Sequence, residues 1–417
     1  MKIVIVNTAD KGGGAENIAS ALANGLRTKG HQVSFLCSRS YREDSCCITN
    51  NFDWVLGRTL KHIGYADSIS MAAYRFLSRT EVREADVIHF HNLHGFYFGV
   101  AMLPRIVAVK PCLWTLHDCW PISGGCYWHL DQTNQPCRKW QVNCKPCPSH
   151  RIFPMTGLLD TASYMLSLKR RAFSAMARHA CIVSGVSDWM SNRIKEAFIV
   201  SNINPAIIQT VSNYIDIPKE KQSWLPLPSS IPLHNPLILL VAADVNNHNK
   251  GMAIALNALQ NNLEKPFTLV TVGTPFSEST LSQFGLLERT VQLGRIENRF
   301  MLASVYRASK FTVVPSLAES FCLVAGESIA CGTPVVASNI AALPDLIHNG
   351  QTGYLAISGD ILSFSRKIRS MLDMPESTYS SLRESTLKFS ENNFHSFQTW
   401  VEVYLTLYHR AISEHRT

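Results

Sequence analysis

The sequence lacks any apolar stretch of the roughly 18 to 20 residues that a membrane-spanning helix requires. The apolar run after Met1 is also too short for the core of a secretory signal. These two absences predict a protein that acts in the cytoplasm, where any contact with a membrane is peripheral. No internal repeat is visible either.

Charged residues are scarce, at 17% of the sequence, whereas 46% of the residues are apolar. Together with 19 prolines and 22 glycines, this composition is typical of a folded globular protein and excludes disordered, collagen-like and coiled-coil classes. Single domains mostly stop at roughly 200 to 250 residues, so a chain of 417 residues predicts two domains.

The net charge of +8 is concentrated in one half of the chain. Residues 1–200 hold 23 of the 39 Lys and Arg and 14 of the 31 Asp and Glu, which gives +9. The remaining 16 basic and 17 acidic residues give −1. A basic first half indicates an anionic partner, which would be nucleic acid, a phospholipid surface or a phosphorylated acceptor.

Short runs rich in Val, Ile and Leu alternate with segments of helical spacing. Continuous apolar strands are typical of a parallel sheet covered on both faces, as in doubly wound α/β domains. A proline-rich segment at 217–236 interrupts the pattern and predicts the junction between two such domains. The runs lie at 2–7, 32–37, 86–90, 111–116, 180–186, 237–243, 267–273, 311–316 and 334–338.

A glycine loop follows the first predicted strand, where Gly12, Gly13 and Gly14 precede a helical segment at 15–28. Such a loop lets backbone N–H groups approach an anion, so phosphate or substrate binding is one interpretation. A tight turn for close helix packing is the other. Dinucleotide binding is disfavoured, because Asn17 stands where G-x-G-x-x-G requires its last glycine.

Four cysteines lie within 22 residues of a segment with little apolar content, at Cys126, Cys137, Cys144 and Cys147. Four thiolates, the last two as C-x-x-C, suffice for a tetrahedral structural zinc site. Free thiols remain an alternative, and disulfides would require an oxidising compartment.

Two glutamates eight residues apart, Glu319 and Glu327, follow the predicted strand 311–316. Ligands of open α/β sheets bind at the carboxyl ends of strands, and carboxylates there suit sugar hydroxyls. Each glutamate taken alone is more typical of a solvated surface charge or a charge at a helix N-terminus. The string from Pro315 to Pro334, however, resembles the E-x7-E signature of family 4 retaining glycosyltransferases.

Other segments resemble this family in the same order, and the resemblance covers most of the chain. It implies an α/β GT-B fold, in which two Rossmann-like domains face each other across a cleft. Residues 1–216, with a Cys-rich loop at 119–150, would form the acceptor side and 217–394 the nucleotide-sugar side. A helix within 395–417 would return to the first domain. The matching segments are 12–16, 211–216, Lys250-Gly251, Leu293-Gly294, Tyr306, Pro315-Ser316, 331–336 and 349–353.

The resemblance also implies roles for individual residues. Glu327 would bind the ribose of a UDP- or GDP-sugar, Glu319 would hold the sugar hydroxyls, and Lys250 would neutralise the diphosphate leaving group. His117, at the end of the strand 111–116, would lie near the reacting sugar. The other donor-side candidates are Gly273, Gly294, Ser316, Phe321, Cys322, Leu323 and Val324, and those of the acceptor or phosphate loop are Gly12, Gly13, Gly14 and His91.

The implied reaction proceeds with retention and without a catalytic metal, because fixed positive groups would stabilise the departing diphosphate. Two departures from the family pattern make a catalytically weak scaffold an alternative. Asp244 stands where the family usually has arginine, and Ser320 and Cys322 stand where it often has glycines.

The Cys-rich segment resembles an insert found in exopolysaccharide glycosyltransferases, including the colanic-acid type. This implies an acceptor in surface-polysaccharide or lipopolysaccharide assembly, either a growing polysaccharide or a lipid-linked saccharide. The cluster Lys169-Arg170-Arg171 with Arg178 lies among apolar residues at helical spacing, which predicts contact with an anionic membrane. A solvated helix face is the alternative.

The sequence suggests three other interpretations. A nucleotide-sugar 2-epimerase would share the architecture. A nucleic-acid-binding module would leave most of the chain unexplained, so no nucleic-acid partner is predicted. A metal site at His89, His91 and His94 is disfavoured, because strand alternation places the first two on one face and His94 in the loop.

Overall fold

The computed structural model of the protein describes residues 1–128, 137–149, 157–217 and 225–416. The chain divides into two compact units, one formed by Met1–Asn213 with Ser396–Thr417 and the other by Tyr214–His395. The division predicted from the sequence, after residue 216, differs from this boundary by three residues.

The first unit is built on a parallel sheet of seven strands in the order β3-β2-β1-β4-β5-β6-β7. This is a doubly wound, Rossmann-like order that reverses direction between β1 and β4. Its strands are Lys2–Ala9 (β1), Gln32–Arg39 (β2), Ser45–Cys47 (β3), Val87–Phe90 (β4), Cys112–Leu116 (β5), Ile182–Gly185 (β6) and Ile208–Thr210 (β7).

Helices accompany this sheet, and the longer helices α1, α6 and α7 bury apolar faces. In the first helix the stripe consists of Ile18, Leu22 and Leu26, which are at most 4% exposed and four residues apart. The helices are Gly14–Thr28 (α1), Asn51–Ile63 (α2), Met71–Arg75 (α3), Thr80–Glu84 (α4), Leu103–Val109 (α5), Ala162–Arg178 (α6) and Asp188–Ile199 (α7).

The second unit repeats the plan with six parallel strands in the order β10-β9-β8-β11-β12-β13. The order reverses between β8 and β11, the place where open α/β sheets bind ligands. The strands are Leu237–Ala242 (β8), Thr268–Gly273 (β9), Thr290–Gln292 (β10), Phe311–Val314 (β11), Val335–Ser338 (β12) and Gly353–Ala356 (β13).

Among the residues described in this unit, seven helices accompany the sheet, and the apolar faces of the first and the sixth pack with the strands into one core. They are Met252–Gln260 (α8), Glu278–Gln283 (α9), Arg299–Ala308 (α10), Leu323–Ala330 (α11), Leu343–Leu346 (α12), Ile361–Leu372 (α13) and Glu376–Asn393 (α14).

The last helix, Phe397–Glu414 (α15), belongs to the first unit. It packs on α1 and buries Trp400 and Tyr408 completely. Gly25 of α1 permits the close approach, because a Cβ atom there would lie 2.5 Å from the Val401 side chain.

The prediction that Lys169 on α6 contributes to an exposed basic surface is wrong. Lys169 is fully buried, and its Nζ donates hydrogen bonds to the carbonyls of Trp120, at 2.7 Å, and Ser123. Arg170 donates to the carbonyl of Val142 at 2.8 Å. These cations therefore anchor the segment that follows β5, and only Arg171 and Arg178 of the predicted cluster are exposed.

Candidate functional site

The candidate residues of the first unit follow three neighbouring strands. β1, β4 and β5 are adjacent in the sheet, and the switch in strand order lies between the first two. The glycine loop follows β1, His91 and His94 follow β4, and His117 follows β5. Because all three strands are parallel, these segments meet at one edge of the sheet.

The glycine loop leads directly into α1. Gly12 has a φ of 151°, in the region that favours glycine, and Gly13 caps the helix without a side chain. The loop begins after Asp10, whose buried carboxylate accepts hydrogen bonds from the backbone N–H groups of Tyr41 and Arg42. The three exposed glycines thus lie at a fixed, positively polarised helix end.

A column of buried imidazoles runs along this edge. Nδ1 of His89 hydrogen bonds with the hydroxyl of Tyr408 at 2.7 Å, and its Nε2 with that of Thr115 at 2.8 Å. Nδ1 of His91 lies 2.8 Å from Nε2 of His117. The rings of His89 and His91 are 4.1 Å apart, so both occupy the same face of β4, as strand alternation predicts.

Burial keeps these imidazoles neutral. It lowers the pKa of His117 to about 4, although nearby Asp118 acts in the opposite direction. It also lowers the pKa values of His89 and His91 well below their ordinary value. His91, a predicted acceptor-loop residue, is only 1% exposed, so its direct contact is His117 and not the solvent.

Beside this column, His94 and Asp118 form an ion pair that the sequence analysis missed. Nε2 of His94 lies 3.0 Å from Oδ2 of Asp118. Burial alone would lower the pKa of His94, but the carboxylate raises it above its ordinary value. Oδ1 of Asp118 accepts the backbone N–H of Trp120 at 2.8 Å. The position of Asp118 next to His117 was the available signal.

The predicted zinc site is not supported. Cys126, Cys137, Cys144 and Cys147 form no disulfide, and within the described residues no three His, Cys, Asp or Glu side chains gather to hold a metal ion. Burial, followed by the influence of the neighbouring Cys126, raises the pKa of Cys144 to about 12. The disulfide alternative is not observed either. Residues 129–136 of this loop lie outside the described residues.

In the second unit, Lys250 and Glu319 form an ion pair at the switch in strand order. Nζ of Lys250 donates to Oε1 of Glu319 at 2.7 Å, and the hydroxyl of Ser316 donates to the same oxygen at 2.9 Å. Burial opposes the charge of Lys250, yet Glu319 and neighbouring Cys322 raise its pKa. Lys250 follows β8 and Glu319 follows β11, the two strands at the switch.

Gly251 allows this pairing. Its φ is 63°, and a Cβ atom would lie 2.0 Å from the carbonyl oxygen of Pro315. The backbone N–H of Leu317 also donates to the carbonyl of Asn249 at 2.8 Å. The two loops therefore touch through their backbones, which fixes Lys250 beside the loop that carries Glu319.

Glu327 has a different partner. Its Oε2 accepts a hydrogen bond from the hydroxyl of buried Tyr306 at 2.8 Å. Burial raises the pKa of Glu327 to about 7, although the Tyr306 hydrogen bond acts in the opposite direction. Tyr306 on α10 received no role in the sequence analysis, and its place in the family order was the only signal.

The N-terminus of α11 adds polarised backbone N–H groups. Cys322 precedes the helix with a φ of 76°, a left-handed conformation that is unusual outside glycine. Phe321 and Cys322 are buried, and Leu323 and Val324 are half-buried. Because the thiol of Cys322 interacts electrostatically with both Lys250 and Glu319, this helix end lies beside their ion pair.

Two glycines shape the neighbouring strand ends. The N–H of Gly273 donates to the carbonyl of Gly294 at 2.8 Å, and a Cβ on Gly273 would meet the oxygen of Ala242 at 1.8 Å. Exposed Asp244 accepts the N–H of Asn246 at 2.9 Å and so stabilises a turn.

Two protein-family models match the chain. The model described as Glycosyltransferase Family 4 matches residues 12–217, and the one described as Glycosyl transferases group 1 matches residues 235–374.

Among curated proteins, the D-inositol 3-phosphate glycosyltransferase of Mycolicibacterium smegmatis is 34% identical over 186 residues, which are 44% of this chain and 39% of that protein. The chain thus spans about two fifths of the length of such relatives. Their name does not confirm the predicted exopolysaccharide resemblance, and it does not support an epimerase.

Solved structures show the same fold. The Anabaena protein Alr3699/HepE in complex with UDP and glucose has a TM-score of 0.65 at 18% identity, over 97% of this chain and 99% of that one. WaaG, described as a glycosyltransferase involved in lipopolysaccharide biosynthesis, has a TM-score of 0.63 at 13% identity, over 96% and 98%. The fold is therefore GT-B. Where the structure describes the chain, no helix is long and apolar enough to cross a membrane.

Proposed function

Because the chain has the two domains of a GT-B glycosyltransferase, we propose that it transfers a sugar, with retention, from a nucleotide-diphosphate sugar to a saccharide acceptor. The cluster of Lys250, Glu319 and Ser316 carries this proposal. A cation beside a helix N-terminus is suited to a departing diphosphate, on which negative charge grows as the bond to the sugar breaks.

In this proposal the diphosphate engages Lys250, which frees Glu319 to accept hydrogen bonds from sugar hydroxyls. Glu327, held by Tyr306, binds the ribose. His117 contacts the sugar. The acceptor oxygen forms a bond to the anomeric carbon as the bond from that carbon to the phosphate oxygen breaks, and the departing phosphate takes the acceptor's proton on the same face. No step requires a metal.

The acceptor in this proposal is a growing surface polysaccharide or a lipid-linked saccharide at an anionic membrane surface. The charge of +9 in residues 1–200 supports an anionic partner. The description of WaaG supports a role in lipopolysaccharide assembly. The name of the curated relative supports a phosphorylated small-molecule acceptor, which is the second candidate.

Thermal unfolding in the presence of UDP- and GDP-sugars tests the donor. A ligand at 100 times its dissociation constant adds about 2.7 kcal/mol, so the correct donor should raise the melting temperature clearly. Incubation of that donor with polyprenyl-diphosphate saccharides or inositol phosphate, followed by mass spectrometry, then identifies the acceptor. Failure of every nucleotide sugar to stabilise the protein would contradict the proposal.

A further inference from the structure

We propose that His91 is a positioning residue that holds His117 in the tautomer with its proton on Nδ1, so that His117 donates a hydrogen bond to a substrate oxygen. The substrate contact of His117 rests on the proposed function. The tautomer itself is a property of the free protein and can be measured without turnover.

The rings of His91 and His117 each have one nitrogen that takes no part in the hydrogen bond between them. The bond between Nδ1 of His91 and Nε2 of His117 measures 2.8 Å. Nε2 of His91 is buried and has no hydrogen-bond partner among the described residues. Nδ1 of His117 also lacks a partner in the described part of the chain, and His117 keeps 7% of its surface open to solvent, against 1% for His91.

Two arrangements of protons satisfy this bond. Each neutral imidazole carries one N–H, and the bond needs one donor and one acceptor. In the first, His91 donates from Nδ1, which leaves a bare nitrogen in the buried position and an N–H on Nδ1 of His117. In the second, His117 donates from Nε2, which leaves a buried N–H on His91 and a bare Nδ1 on His117.

The cost of burial favours the first arrangement. Buried N–H groups without an acceptor are rarer in proteins than under-satisfied acceptors. The second arrangement would enclose such a donor, whereas the first encloses only a lone pair. The proton is therefore assigned to Nδ1 of His91, and His117 must carry its own proton at the open position.

The surroundings hold His91 in place for this role. Its carbonyl accepts the indole N–H of buried Trp114 at 2.9 Å, and its ring lies 4.1 Å from that of His89. If the imidazole ring of His91 were flipped, a carbon atom would face His117 in place of Nδ1, and the hydrogen bond would be lost. His117 is thus fixed as a donor at the carboxyl end of β5, which suits a sugar oxygen.

Nuclear magnetic resonance of the full chain labelled with 15N-histidine tests the tautomers directly. Long-range correlations between ring protons and nitrogens show which nitrogen carries the proton. The spectra of His91→Asn and His117→Asn assign the two rings. We expect protons on Nδ1 of both rings. A proton on Nε2 of His117 in the wild-type protein would overturn the proposal, whatever the activity.

Steady-state kinetics with the donor found above give a second readout. His91→Leu removes the donor and should lower kcat about 10- to 100-fold, the range seen when a partner that orients a metal-bound histidine is lost, with less change in KM. His91→Asn offers an amide N–H in a similar position and should recover most of the loss. His89→Leu is the control, because His89 is equally buried but does not bond to His117. Equal losses in His89→Leu and His91→Leu would contradict the positioning role, and an inactive wild-type protein would contradict only the proposed function.

Discussion

The candidate residues of the two units respond to burial in opposite directions. In the first unit burial lowers the pKa values of His89, His91 and His117, and in the second it raises that of Glu327. Both effects favour neutral groups. Lys250, by contrast, stays charged because a carboxylate lies within 2.7 Å. Fold alone therefore does not decide which candidate keeps its charge; the immediate partner does.

The largest expected effect is the loss of stability of the first unit in acid. In the unfolded chain the three histidines bind protons near pH 6.5, whereas in the folded protein they stay neutral to a lower pH. They therefore do not reduce the free energy of unfolding above about pH 6.5, and they reduce it below that pH. As the pH falls from there toward 4, each costs up to about 1.4 kcal/mol per pH unit. Urea unfolding at pH 8, 6.5 and 5.5 should show the decline.

Tryptophan fluorescence reports this unfolding selectively. Seven of the eight tryptophans lie in Met1–Asn213 or Ser396–Thr417, and only Trp224 does not. His117→Asn should flatten the pH dependence, whereas the same change at exposed His248 should not. A stability that stays constant from pH 8 to 5.5 would contradict the assignment of neutral buried imidazoles.

The next effect is on catalysis. Lys250→Met should lower kcat about 100-fold or more, the range seen when one group that stabilises a developing anion is removed. The measurement is sugar transfer under saturating donor. Lys265→Met is a matched control, because half-buried Lys265 pairs with Asp373 in another ion pair of the same unit. Transfer by Lys250→Met at the parent rate would rule out a role for the ion pair.

Glu327 should give the opposite pH dependence to the histidines. An unfolded glutamate ionises near pH 4.5, whereas folded Glu327 ionises at about 7, so it costs stability as the pH rises from 4.5 to 7. Glu327→Gln should recover about 2 to 3 kcal/mol at pH 8 and almost nothing at pH 4.5. Unfolding of the second unit, followed by circular dichroism, measures this.

Exposed Glu384 supplies the control, because its ion pair with Lys388 lowers its pKa and Glu384→Gln should therefore recover no stability at pH 8. The loss of the ribose contact should also weaken nucleotide binding by Glu327→Gln, by roughly 10-fold or more. Equal stability gains at both pH values would argue against an elevated pKa at Glu327.

The smallest effect concerns the two cysteines that flank α11. Each is 6% exposed, but Cys322 has a φ of 76° and Cys331 a φ of −84°. Replacement by glycine removes the same side chain from both and relieves left-handed strain only at Cys322. We therefore expect Cys322→Gly to be about 1 kcal/mol less destabilising than Cys331→Gly in urea unfolding. Equal losses would show that Cys322 carries no strain.

The strands illustrate how far the sequence predicts this fold. All nine apolar runs named from the sequence are strands. The four strands that were missed, β3, β7, β10 and β13, are the outer strands of the two sheets. They have three or four residues and are mostly not buried, so they need no continuous apolar run. Apolar runs in the sequence therefore predict the interior strands of these sheets and do not predict the edge strands.

The candidate site could be predicted only in part from the sequence, for a related reason. The family signature supplies Lys250 and Glu319, but nothing in it shows that they pair across 69 residues of chain. Lys169 was misread because a run of basic residues does not reveal that one of them satisfies two buried carbonyls. Cysteine spacing, likewise, does not determine whether the thiols converge. Pattern identifies residue types, whereas these roles depend on contacts made by the folded chain.

The return of α15 to the first unit has a consequence for biosynthesis. Tyr408 supplies the hydroxyl that bonds to His89, so a residue that is synthesised after the whole second unit completes the core around β4 of the first unit. At roughly 5 to 20 residues per second, the ribosome needs about 10 to 40 s to make the 182 residues of Tyr214–His395 that intervene. During that time the nascent first unit exposes the surface that α15 will cover, and chaperones have this interval in which to protect it.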